Sequence, residues 1–150
     1  MKKIVAIILL SSFVFLLSCN KEDSPGYNYD LNSNVLPPYV TLSSTAAKTV
    51  AQGGSVNFTF QMRTAQQQAV TVYYDVTGDI NLTSQTVMID RDKTSAVATV
   101  NIPNNVIVAP ATTATATLTL VKAEKADGTL LTIGSKNNPA TQKVTINITL

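Results

Sequence analysis

The chain has 150 residues, 45% of them hydrophobic and 13% charged, with one cysteine, no histidine and no tryptophan. Its 11 basic and 9 acidic residues give a formal charge of +2. Lys2 and Lys3 supply that excess, so residues 19–150 are balanced and offer no basic patch to nucleic acid. The commonest general base and metal ligand is missing, and one cysteine cannot form a disulfide within the chain.

Met1-Lys2-Lys3 is a short positive segment, and Ile4 to Leu17 is apolar except for Ser11 and Ser12. Those 14 residues fall short of the about 20 needed to cross a bilayer comfortably. They match the hydrophobic region of a secretory signal peptide. Leu16-Leu17-Ser18-Cys19 resembles the lipobox of bacterial lipoproteins. The resemblance implies cleavage between Ser18 and Cys19 and a diacylglycerol on the Cys19 thiol. The alternatives are an ordinary free thiol or a retained leader. The short apolar run with positive charge before it favours lipidation. Several acyl chains on one residue, at about 0.8 kcal/mol per buried CH₂, make a lasting membrane anchor.

Lys21-Glu22-Asp23 follows. It resembles the lysine-plus-acids signal with which Bacteroidota lipoproteins reach the outer leaflet of the outer membrane. The other reading is a charged, solvated linker. Residues 20–38 hold Pro25-Gly26, Asn28, Asn32, Asn34 and Pro37-Pro38 without periodicity, which predicts a flexible tether.

From Tyr39 onward apolar residues recur at every second position, the pattern of half-buried strands. Val40 and Leu42 begin a first strand, and Gly53-Gly54 marks a turn or bulge. The second strand turns Val56, Phe58, Phe60 and Met62 inward, and the third Val70, Val72, Tyr74 and Val76. A fourth runs over Thr86 to Asp90 with Val87 and Ile89 inward, and Asp90-Arg91-Asp92-Lys93 makes its hairpin. The fifth carries Ala96, Ala98, Val100 and Ile102. The sixth carries Ala114, Ala116, Leu118 and Leu120, before a turn at Asp127-Gly128. The seventh sets Val144, Ile146, Ile148 and Leu150 inward. About seven strands without a helical period predict an all-β protein. The expected form is a single antiparallel immunoglobulin-like β-sandwich over residues 39–150, after a signal peptide (1–18) and a tether (19–38).

Val70-Thr71-Val72-Tyr73-Tyr74-Asp75-Val76-Thr77-Gly78 resembles the central strand of Calx-beta modules. Thr86 to Ile89, Thr94 to Val100, Thr115 to Leu120 and Lys143 to Leu150 resemble the strands that follow it there. The resemblance implies an immunoglobulin-like sandwich used outside the cell for adhesion or ligand display. In metal-binding members, loop acids at one end hold calcium. Here Gln52, Asn104-Asn105 and Thr115 stand where such acids are usual. Asp75, Asp79, Asp90 and Asp92 are not spaced as a dedicated loop, so no metal or other cofactor is expected and calcium binding is disfavoured.

No glycine-rich phosphate loop appears, and the acids sit mostly at turns rather than as a convergent pair. The expectation is a non-enzyme. Exposed candidates for recognition are Tyr73, on the wet face of its strand, Arg63, and Gln66 to Gln68. An aromatic on a flat sheet face can stack on a sugar or anchor a protein partner. Tyr73 can equally pack under a loop or against a neighbouring edge. The chain thus reads as an outer-membrane lipoprotein, displayed at the surface or facing the periplasm, with a binding, adhesion or assembly role. The alternative is an accessory glycan-binding lipoprotein of a polysaccharide-uptake system.

Overall fold

The computed structural model describes residues 37–134 and 137–150. The leader, Ser18, Cys19, the triad Lys21, Glu22 and Asp23, and the tether up to residue 36 lie outside them. The described part is all-β, a sandwich of nine strands. They are β1 (Tyr39–Leu42), β2 (Lys48–Ala51), β3 (Ser55–Met62), β4 (Val70–Gly78), β5 (Leu82–Ile89), β6 (Ser95–Asn101), β7 (Thr113–Lys125), β8 (Leu130–Ile133) and β9 (Lys143–Thr149).

One layer runs β2-β9-β7-β4-β5 and the other β1-β3-β6. β8 joins them, pairing antiparallel with the end of β7 and parallel with β1. The β2–β9 pair is also parallel, and all other ladders are antiparallel. Alternation puts the expected residues inward except Leu150, which lies beyond the end of β9 and is 68% exposed. Phe58, Phe60, Leu118, Leu120, Ile146 and Ile148 lie between the layers with almost no exposure. Burial of such side chains, at about 1.5–3 kcal/mol each, is the main favourable term.

Two short strands were not expected. β2 offers only Val50, half-buried, as an apolar contact, and β8 opens with adjacent leucines, of which Leu130 is exposed and Leu131 buried. Four residues hold too little alternation to be seen as a pattern.

Two expected strands are longer than their alternation. β7 continues beyond Leu120 because its register with β4 shifts between Tyr73↔Lys122 and Tyr74↔Leu120. The extra residue is Val121, and Leu120 and Ala123 therefore both point inward. β5 begins at Leu82 rather than Thr86, with its own register shift opposite Asp75. Ser84 there takes φ 56, and its N–H donates to Asp75 Oδ1 at 2.7 Å. Each bulge breaks the period of two that marks a strand.

Candidate functional site

The β4–β7 bulge shapes the outer face of the larger layer. Tyr73 pairs with Thr86 on one side and Lys122 on the other. Direct cross-strand neighbours stand about 5 Å apart at Cβ, close enough for their side chains to meet. The Lys122 ammonium lies 4.3 Å from the Tyr73 ring centroid and 2.8 Å from Glu124 Oε2. Tyr73 is therefore half-buried by a lysine of the adjacent strand rather than by a loop. The hydrogen bond to Glu124 holds the Lys122 amine above its ordinary pKa, so the group stays cationic.

Lys122 also borders a groove of about 360 Å³. Val121 and Lys122 form one wall, β8 (Leu130, Leu131, Thr132, Ile133) another, and Asn137 and Pro139 the third. Val121 and Leu130 are 41% and 65% exposed, which leaves an apolar lip around polar Lys122, Thr132 and Asn137. The volume lies at the small end of ligand pockets. Alternation stops being readable at Leu120, so Lys122 carried no signal in the sequence. The remaining wall residues meet only through tertiary pairing.

The other candidates lie at the ends of the sandwich. Arg63 and Gln66 to Gln68 belong to the β3–β4 loop, which interlocks with two neighbouring turns. Asp92 N–H donates to Gln66 O at 2.9 Å, and Gln68 Nε2 donates to Asp127 Oδ2 at 3.2 Å. Hydrogen bonds from Thr129 hold the Asp127 carboxyl below its usual range. Asp90, Arg91 and Asp92 sit in the exposed β5–β6 connection. It crosses from one layer to the other and does not close the expected hairpin, because β5 pairs with β4 and β6 with β3. Arg91 pairs there with Asp92 at 3.2 Å. These polar groups brace loops and leave Tyr73 on a different surface.

The opposite end gathers Gln52, Asn104, Asp79 and Thr115. Gln52 Oε1 accepts from Ile107 N–H at 3.2 Å, and Asp79 Oδ2 from Thr115 N–H at 2.6 Å. Gly53, at φ 77, is pressed against the Asn104 side chain, so that a Cβ there would meet Asn104 Oδ1. Calcium wants several carboxylates. Here one carboxylate stands among amides and a hydroxyl, already engaged with backbone N–H groups, and the residues do not fit the ion. Among the described residues no three His, Cys, Asp or Glu side chains gather as a metal site.

No family model matches the chain, and no curated protein matches it. Among solved structures, a crystal structure of the apo form of the Calx CBD1 domain is similar, with a TM-score of 0.55. The match covers 75% of this chain and 96% of that one at 7% sequence identity. The likeness establishes a Calx-beta-like, immunoglobulin-like sandwich and concerns the fold alone.

Proposed function

We infer that the chain is a non-catalytic lipoprotein, anchored in the outer membrane through lipid on Cys19 and displayed at the cell surface, with a binding role. The observation that carries the recognition half is the groove between β7 and β8, bordered by Lys122, whose ammonium is held by Glu124 and lies over the Tyr73 ring. Its ligand is held without chemistry: the Lys122 cation with Thr132 and Asn137 orients polar groups while Val121, Leu130 and Pro139 take up apolar surface. A glycan suits this mixture, because sugar C–H faces meet the apolar lip and hydroxyls meet Lys122, Thr132 and Asn137. An exposed loop of another surface protein is the other ligand class.

Screening the purified lipoprotein against glycan and peptide arrays tests the recognition half. Lys122→Ala and Tyr73→Ala are each expected to weaken the strongest hit about tenfold, equivalent to about 1.4 kcal/mol. Circular dichroism should stay that of the folded sandwich. Unchanged affinity in both variants places the ligand elsewhere. The anchoring half is tested by labelling cells with a palmitate analogue. The native chain is expected to take up label and fractionate with membranes. A Cys19→Ala chain should do neither, and a labelled variant sinks the lipoprotein reading.

A further inference from the structure

Among the described residues three strands leave an edge of the sandwich unpaired, and they differ in protection. β2 carries Lys48, whose ammonium reaches Asn57 O and sits 5.2 Å from the Phe58 ring centroid. β5 is kinked at Ser84. β6 has neither device: Ser95-Ala96-Val97-Ala98-Thr99-Val100-Asn101 contains no charge, proline or glycine. Lysines, prolines and bulges are what usually blunt such an edge.

The ladder with β3 shows which groups are free. Met62 N–H donates to Thr94 O at 2.7 Å, and Ile102 N–H to Gly54 O at 2.9 Å. Even-numbered residues of this stretch therefore face β3. By the alternation of an antiparallel ladder, the N–H and C=O groups of Ser95, Val97, Thr99 and Asn101 point away from it. No strand pairs with them among the described residues. Their side chains are exposed, Val97 by 55%.

We propose that this edge pairs with the β6 edge of a second copy of the chain, antiparallel about a two-fold axis at Ala98. That register sets Ser95 against Asn101, Val97 against Thr99 and Ala96 against Val100 of the second copy. Every free backbone group of the strand then finds a partner. The occupant is a second copy because a self-paired strand repels itself wherever it sets like charges opposite each other, and β6 has none. Val97 and Thr99 are β-branched, the residue type that packs best across such a pair. The two-fold relation is the commonest closed arrangement for a self-complementary patch, and it caps both edges. The contact does not involve the groove beside Lys122 and stands independently of the ligand reading.

The test uses the full chain carrying two different tags, co-expressed and extracted in excess detergent. One tag is expected to recover the other. V97K/T99K places like charges opposite each other in this register and is expected to cut recovery about tenfold. V97K/T99E, on the same two positions, places opposite charges and is expected to restore it. All three proteins should keep the strand-rich circular dichroism of the sandwich. Native chains that do not recover each other overturn the proposal, whether or not another protein occupies the edge. It fails equally if V97K/T99K retains recovery. A V97K/T99E chain that stays monomeric overturns the register and with it the two-fold pair.

Discussion

Phe60→Ala is expected to lower the unfolding free energy by about 3–5 kcal/mol, the range for removing a buried phenylalanine. Phe60 has 0% exposure and packs against Tyr74 of the facing layer, with ring centroids 5.4 Å apart and planes at 34°. A tilted pair of this kind adds about 0.5–1.5 kcal/mol to the simple burial of both rings. The ladder neighbours of Phe60 are Leu42 and Ala96, and Ala96 is too small to swing into the space left. Little relaxation means a full cavity cost. Set against a total stability of about 5–15 kcal/mol for a domain, one such change brings the sandwich close to unfolding. The sole cysteine excludes a disulfide within the chain, so the core has no such crosslink to fall back on.

Urea titration followed by circular dichroism reads this directly: the midpoint should fall while the slope stays the same. Phe60→Leu, which keeps most of the volume, should cost clearly less. A Phe60→Ala loss below about 1 kcal/mol would mean that the two layers close over the gap. The tight packing inferred between β3 and β4 would then be wrong.

The same residues show what a sequence can and cannot disclose. Val56, Phe58, Phe60 and Met62 are readable as one buried face because a flat strand repeats every two residues, and all four are buried. β9 is readable for the same reason. The pattern fails where backbone geometry changes phase. At Val121 the bulge gives two consecutive exposed residues, and the last third of β7 disappears from view together with Lys122 and Glu124. Tyr73 could be assigned to the wet face from its own strand, but the cation above its ring belongs to a neighbour 49 positions later. The groove is less visible still. It exists because β8 leaves one layer for the other and Pro139 returns beside it, an arrangement with no local signature. Low charge along β6 was apparent in composition, whereas the direction of its free backbone groups required the ladder.

Gln142→Leu is expected to cost about 1–3 kcal/mol, although it replaces one side chain with another of similar bulk. Gln142 is the one buried polar side chain among the described residues, 8% exposed. It sits where β8 ceases to pair with β1. Their register ends at Val40↔Ile133, and Gly134, at φ 57, then turns the chain aside. Leu42 is thereby left with a buried N–H and no strand to receive it on that side. Gln142 Oε1 fills the gap, accepting from Leu42 N–H at 3.0 Å and from Thr41 Oγ1–H at 2.6 Å. Its own backbone carries the ladder on the other side, where Gln142 O accepts from Leu120 N–H at 3.0 Å. The amide thus stands in for a missing residue of strand at the seam between the two layers. Leucine fills the space but cannot accept, and an unsatisfied buried donor carries its full desolvation cost. Removing the hydroxyl as well, in Thr41→Val with Gln142→Leu, should cost less than the two single changes together, because both break the same Thr41–Gln142 hydrogen bond. Hydrogen exchange separates this account from a general loss of packing: the Leu42 amide should lose protection first. A Gln142→Leu protein with unchanged midpoint and a still-protected Leu42 amide would show that β1 is held by β3 alone.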